Sequence, residues 1–300
     1  MAKRETIGVI GGSGLYEIDG LVDVRRVAVE TPFGAPSDEY LVGDLGDARL
    51  VFLPRHGRGH RLAPSEINFR ANVHGMKQLG VTQLLSVSAV GSMKEAIRPG
   101  DLVVVDQFFD RTSGRASSFF GDGIVGHIPF ADPICPALHA RVLGATRAAA
   151  DAAGKGARVH ERGTYLVING PQFSTRAESK IFRSWGVDVI GMTNLPEARL
   201  AREAGLCYAT VALATDYDCW HESEDDVSVA AVLAVLRQNV ATARELIART
   251  ARSAPSTTTC SCADAVRHAV ITDASAIAPA AAARLALILG TSPSQGLQDS

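Results

Sequence analysis

Short apolar runs alternate with helix-length patterns along most of this 300-residue chain. The runs are Ile7–Ile10, Leu50–Leu53, Leu84–Val87, Leu102–Val105, Tyr165–Ile168, Val187–Ile190 and Tyr208–Ala214. Helical patterns cover Pro64–Leu79, Pro136–Ala153, Thr175–Trp185, Leu195–Ala204 and Val227–Arg252. Such alternation predicts an α/β fold, with a sheet flanked by helices on both faces. Within the last helical pattern, Val229, Val232, Leu233, Leu236, Val240 and Ala243 recur at spacings of three and four. That is an amphipathic stripe, and it reads first as core.

The most informative run, Cys207–Thr215, ends abruptly in Asp216-Tyr217-Asp218-Cys219-Trp220. Open α/β sheets bind ligands at the C-terminal ends of their strands. If the strand persisted through this ending, Asp216 and Asp218 would project to one face. Carboxylates crowded at the mouth of an apolar sheet resist ionisation, so one can hold a proton near neutrality while the other accepts a hydrogen bond. A purine leaving group uses both functions, a proton at N7 and an acceptor for its 6-amino group. Taken alone, the pair reads first as two solvated turn aspartates.

Composition narrows the class. Hydrophobic residues make up 46% and charged residues 21%, which is ordinary for a globular protein and argues against bulk disorder. A net charge of −2 gives no reason to expect a nucleic-acid or membrane partner. The chain enters a strand within a few residues of Met1, without a signal-peptide pattern or a membrane-length apolar run. Five cysteines, mostly isolated, suit a reducing cytoplasm. Composition shifts at Ser253, where a linker through Cys260-Ser261-Cys262 leads to an alanine-rich stretch. Residues 1–252 are therefore expected to carry the function. Residues 253–300 form a linker and a tail packed on or peripheral to that unit, with the part after Asp273 peripheral and the last ten residues mobile.

Smaller motifs sit at other strand ends. Gly11-Gly12-Ser13-Gly14 follows the first run, and its glycines let backbone amides approach an anion. It is neither a dinucleotide fingerprint, because Glu17 stands where glycine is needed, nor a nucleophile elbow, because Leu15 does. Arg55 and His56 follow the second run and suit a phosphate. A zinc site from His56 and His60 is disfavoured by the intervening glycines and the missing carboxylate. Ser88 and Ala89 close the third run in small residues. Thr193 follows Gly191-Met192 and can either cap the next helix or bind an anion. Segment 110–132 is too long and polar for a simple connector, so it is functional or reaches a partner subunit. Four phosphate-suited strand ends beside a carboxylate pair suggest cleavage of an N-glycosidic bond by phosphate.

These segments, with Thr31-Pro32-Phe33-Gly34-Ala35-Pro36-Ser37, Asp106–Thr112 and Gly170–Glu178, make the chain resemble the methylthioadenosine phosphorylase family of the purine nucleoside phosphorylase superfamily. The likeness runs from about Ile7 to Arg252 and implies a single α/β domain with a central mixed sheet. It implies phosphate contacts from Ser13, Arg55, His56, Ser88, the Ala89 amide and Thr193. Met192 would bind ribose hydroxyls through its backbone, and Phe173 would pack on the base. Asp216 would protonate N7, and Asp218 would accept from the 6-amino group. Val229, Val232 and Leu233 would line the 5′-methylthio pocket instead of the core, and His127 would close it from a neighbouring subunit of a trimer or hexamer. Phosphate is the co-substrate, and no metal or organic cofactor is implied. Gln172 replaces an arginine of other members, without a functional explanation.

Other readings stay open on the residues alone. One is a phosphorylase of 6-oxopurine nucleosides or of 5′-methylthioinosine, since a protonated Asp218 could donate to an oxo group. An N-ribosyl hydrolase and a nucleoside-binding protein without turnover are the others.

Overall fold

The computed structural model describes residues 5–12, 14–154, 156–222, 227–253 and 260–290, without the side chains of 231–233 and 238. The sequence alternation becomes one mixed, 11-stranded sheet. Its strands are β1 (Thr6–Gly11), β2 (Val22–Val27), β3 (Tyr40–Leu45), β4 (Ala48–Pro54), β5 (Gln83–Ser92) and β6 (Leu102–Val104). The series continues with β7 (Gln107–Asp110), β8 (Val159–His160), β9 (Thr164–Val167), β10 (Val189–Gly191) and β11 (Cys207–Asp216). The helices are α1 (Phe69–Gln78), α2 (Pro136–Ala153), α3 (Arg176–Ser184), α4 (Asn194–Glu203), α5 (Val229–Arg252) and α6 (Pro279–Leu289).

β5 is the strand on which the sheet divides. Its first half lies between β1 and β11, both parallel to it, with Ser86 the last residue in register with β1. Its far end pairs antiparallel with β10 at Gly91 and Ser92, while β11 stays alongside throughout. Between Ser86 and Gly91, therefore, β5 has left one neighbour and not yet met the next. Such a switch point opens a crevice beside the strand ends, where α/β proteins seat ligands. β4 joins the same parallel set through β1, bringing Pro54 level with Gly11. β10 continues into Met192 and Thr193 in the direction of Ser88, because its pairing with β5 is antiparallel.

β11 is buried at every residue except its two ends. Burial on both faces explains why it reads as one continuous apolar run rather than an alternating one. α2 packs on α5, whereas α1 packs on α4 and α6. Local signals account for several helix starts. Asn68 caps α1 by accepting from the Ala71 amide, which starts the helix at Phe69 rather than Pro64. Thr175 and Glu178 form a reciprocal capping box at α3.

The hairpin-like pair β2 and β3 and the short strands β7 and β8 lie outside the expected runs. β2 is charged and exposed through Arg26, so it lacks the apolar signature of a covered strand. The stripe on α5 is also corrected. At its start Val229 is 64% exposed, whereas Ala243 of the stripe is buried and Leu236 packs against the core; the helix also buries Leu246, Ile247, Ala248 and Ala251. α6 buries Ala281, Leu285 and Ile288 in the main core, so part of the alanine-rich tail after Asp273 packs rather than lying peripheral. The last ten residues fall outside the described part. Among the described residues, no helix is long and apolar enough to cross a membrane.

Candidate active site

Asp216 is the last residue of β11, level with Gly91 of β5. A side chain on Gly91 would collide with Asp216 Oδ1, which is how the carboxylate reaches over the sheet edge. Its Oδ1 accepts the Asp218 amide at 2.8 Å, and its Oδ2 lies 2.7 Å from the Thr215 hydroxyl. Burial, reinforced by the Asp218 charge, raises its pKa to about 6 despite those hydrogen bonds. The Thr215 hydroxyl also lies 3.2 Å from Val90 O. Its single proton cannot serve both acceptors well. A protonated Asp216 resolves the conflict by donating to Thr215, which then donates to Val90.

Asp218 does not continue the strand. Its φ of 54° is left-handed, so the expected same-face alternation of the two aspartates fails. The carboxylate is turned instead toward Ser174 and Ser179 at the start of α3. Burial raises its pKa, and the two serines oppose that rise. Asp218 Oδ2, Ser174 Oγ and Ser179 Oγ are all buried without a hydrogen-bond partner of good geometry. Buried polar atoms left this way are costly unless something else completes them. Phe173, 39% exposed, leads into this turn.

The anion half lies along the divided stretch of β5. Ser88 is buried and donates to Asn194 Oδ1 at 3.0 Å; Ala89 follows it. Thr193 occupies the N-cap position of α4 yet makes no capping bond. Of the two roles open to it, the cap is therefore not taken. The Tyr165 hydroxyl, buried against Gly191 and close to Ser88 and Thr193, also lacks a well-formed partner. The unsatisfied Tyr165 hydroxyl and the Thr193 hydroxyl, free of any capping bond, thus accompany Ser88 at one place. Ser13 lies outside the described residues.

Arg55 departs from the expected open fork. Its guanidinium is buried and bidentate on Glu197, with Nε to Oε2 at 2.8 Å and Nη2 to Oε1 at 3.1 Å. Nη2 also reaches Ser86 Oγ at 2.6 Å and Ile10 O at 3.2 Å. Nη1 has one partner among the described residues, Val87 O at 3.3 Å, and carries a second N–H. Arg55 thus contributes fixed charge and a single face to the crevice, not a fork. His56 donates Nδ1–H to Leu62 O at 2.8 Å and stacks on His60. A carbonyl only accepts, so the proton sits on Nδ1 and Nε2 is left as the acceptor. Burial lowers its pKa to about 4 and keeps the ring neutral.

A buried polar network that the sequence reading missed holds these groups. Asn194 donates to Tyr208 OH at 2.7 Å and Thr210 Oγ1 at 2.9 Å, and Tyr208 donates to Glu197 Oε1 at 2.9 Å. Ser88, Asn194, Tyr208, Glu197 and Arg55 form one chain of bonds. The available signal was polar side chains interrupting strand-length apolar runs. Arg115, on the long segment, was missed too. It donates to Met192 O at 2.8 Å, Leu195 O at 2.7 Å and Asn169 O at 3.0 Å. That pins the loop across the strand ends and occupies the Met192 carbonyl. Val229 opens toward solvent at the start of α5; the side chains of Val232 and Leu233 lie outside the description. His127 is exposed, with its amide on Ala269 O at 2.8 Å.

Comparison with known proteins agrees with this geometry. A family profile described as the phosphorylase superfamily matches residues 6–252. The S-methyl-5′-thioadenosine phosphorylase of Geobacter sulfurreducens is 59% identical, covering 96% of this chain and 99% of its own. That of Koribacter versatilis is 53% identical over 95% of each. A crystal structure of methylthioadenosine phosphorylase from an antarctic soil metagenomic library superposes with a TM-score of 0.87 at 43% identity, covering 96% of this chain and 100% of that one. A Schistosoma mansoni methylthioadenosine phosphorylase in complex with adenine superposes at 0.76 with 41% identity, over 82% and 91%. The fold is the purine nucleoside phosphorylase type, and the chain belongs to the phosphorylase superfamily and, within it, to the methylthioadenosine phosphorylases.

Proposed function

We propose that this enzyme cleaves 5′-methylthioadenosine with phosphate, yielding adenine and 5-methylthioribose-1-phosphate for methionine and purine salvage. The observation that carries the reading is Asp216, a carboxyl raised to about 6 at the end of a strand, beside an anion cradle. Such a group is poised to donate a proton near neutrality. Protonation at N7 draws electrons from the purine, and the C1′–N9 bond stretches toward an oxocarbenium-like ribose. Phosphate then adds to C1′ through one oxygen. Hydrogen phosphate brings one proton and adenine leaves with one, so the reaction balances without redox change.

Asp218 Oδ2, buried without a hydrogen bond of good geometry, supports an acceptor role toward the 6-amino group. Ser13, Ser88, the Ala89 amide, Thr193 and the second Nη1–H of Arg55 are the donors we assign to phosphate. Neutral His56 can accept from the remaining P–OH through Nε2. The Met192 amide is assigned to ribose, Phe173 to the base face, and Val229, Val232 and Leu233 to the methylthio end. Orientation and electrostatics carry catalysis, and no metal or organic cofactor enters the reaction.

We further assign the enzyme to the cytoplasm, where its five unpaired thiols stay reduced. It works as a trimer or hexamer in which His127 closes a neighbour's pocket. Exposed His127 is flanked by Val125 and Ile271, 49% and 65% exposed, an apolar surface suited to a subunit contact. The test is product analysis with methylthioadenosine, adenosine, methylthioinosine and inosine. Faster turnover of a 6-oxopurine nucleoside would assign the chain to that substrate class instead.

A further inference from the structure

Four of the five cysteines converge from three separate places in the sequence. Cys135, Cys207, Cys260 and Cys262 bring their sulfurs within 4.8 Å of one another. Cys207 and Cys260 stand 3.4 Å apart. Cys135 and Cys262 are buried and the other two half-buried. A tetrahedral tetrathiolate with metal–sulfur bonds of about 2.3 Å spaces its sulfurs about 3.8 Å apart. Every pair lies within 4.8 Å, close enough for that spacing, whereas two disulfides would demand closeness only within each pair.

From these observations we infer a structural metal site, in which the four thiolates hold one thiophilic divalent cation, zinc. Each ligand has a defined seat. Cys135 is the N-cap of α2, Cys207 opens β11, and Cys262 opens the 3₁₀ turn Cys262–Asp264. The tail reaches β11 because Gly205 has no side chain; a Cβ there would press on Ala263. A tetrathiolate zinc centre carries two negative charges in excess. The positive end of α2 and the Arg202 cation near Cys262 offset them.

The site fastens the tail to the strand that ends in Asp216. From there the tail clips the long loop. Gly126 bridges to Val270, His127 donates to Ala269 O at 2.8 Å, and Ile271 donates to Val125 O at 3.0 Å. The metal would therefore order the loop segment bearing His127 without taking part in the reaction. The site stands whether or not the phosphorolysis reading holds.

The test is elemental analysis of the full-length protein purified in reducing buffer without added metal, followed by cobalt substitution. The expected result is zinc near one atom per chain, falling below about one tenth in Cys135→Ser and Cys262→Ser. Cys219→Ser, which removes the thiol outside the cluster, should keep its zinc. Should a cluster variant fail to fold, wild-type protein treated with a mercurial thiol reagent should release one zinc per chain to a colorimetric chelator. Metal-depleted protein given cobalt should show intense tetrahedral visible bands with thiolate charge transfer. Hydrogen exchange at Val125 and His127 should quicken on metal removal. Absence of zinc together with no cobalt spectrum would overturn the site. So would an intact mass lower by two disulfides in the freshly purified protein.

Discussion

Asp218 donates its backbone amide to Oδ1 of Asp216 at 2.8 Å. The two aspartates are thus joined through a left-handed turn, not set side by side on an extended strand. The turn gives them different surroundings. Asp216 stays over the sheet edge with Thr215, and Asp218 rotates toward Ser174 and Ser179. Different surroundings permit different protonation states, which is what an acid and an acceptor need.

Replacing Asp216 with asparagine removes the proton donor and keeps the shape. We expect kcat with methylthioadenosine to fall by roughly 10²- to 10⁴-fold, the usual worth of a general acid. Steady-state kinetics at saturating phosphate check this. A kcat within a few fold of wild type would remove Asp216 from that role.

The same variant should gain stability. The folded carboxyl titrates at about 6 against an ordinary 3.8, so the folded state binds the proton more tightly than the unfolded chain. Stability from that proton is full below pH 3.8 and lost as pH rises to about 6. At pH 8 the wild type carries a buried charge that costs roughly 2 to 3 kcal/mol, and the asparagine variant does not. Denaturant unfolding should therefore favour Asp216→Asn at pH 8, with the gap closing toward pH 4. A variant less stable at pH 8 would contradict the burial argument.

Arg55→Ala should strike the fold before it touches phosphate affinity. It leaves Glu197 charged and buried with Tyr208 as its remaining side-chain partner among the described residues. Breaking a buried pair from one side costs about 3 to 5 kcal/mol. Arg55→Lys should rescue little, because a point charge cannot span both Glu197 oxygens. Chemical denaturation measures this, and a loss under 1 kcal/mol would mean the pair is not structural.

Thr193→Val separates anion binding from capping. The hydroxyl makes no capping bond, so stability should change by less than about 0.5 kcal/mol where a working cap would lose about 1. The phosphate KM should rise by roughly tenfold, the worth of one charge-assisted hydrogen bond. Equal KM with lowered stability would reverse the assignment.

His56 should remain the neutral Nδ1–H tautomer down to about pH 4 in the free enzyme. Nitrogen-detected NMR of labelled imidazoles reads both tautomer and titration. A ring that protonates near its ordinary range would show that burial does not control it.

Much of this architecture was legible because burial on both faces writes itself as an unbroken apolar run. Cys207–Thr215 is the example, and its abrupt end located the carboxylates. Thr193 was legible for a similar reason, standing between a strand and a helix. The sequence was silent where the partner lies far away in the chain. Arg55 meets Glu197 across 142 positions, and nothing local to either marks the pair. The stripe held at Ala243 but not at Val229, because helical period records which residues share a face, not what covers it. The charged edge strand β2 carried no apolar signal at all. The isolated positions of Cys135 and Cys207 likewise hid a cluster that only the folded tail completes.

The most direct measurement supplies methylthioadenosine and phosphate labelled with oxygen-18 on every oxygen, and follows the sugar product by mass spectrometry. If phosphate attacks C1′, adenine forms only when phosphate is present, and the methylthioribose-1-phosphate keeps every labelled oxygen, including the one bonded to C1′. Adenine release that is independent of phosphate, with unlabelled free methylthioribose as its partner, would contradict phosphorolysis.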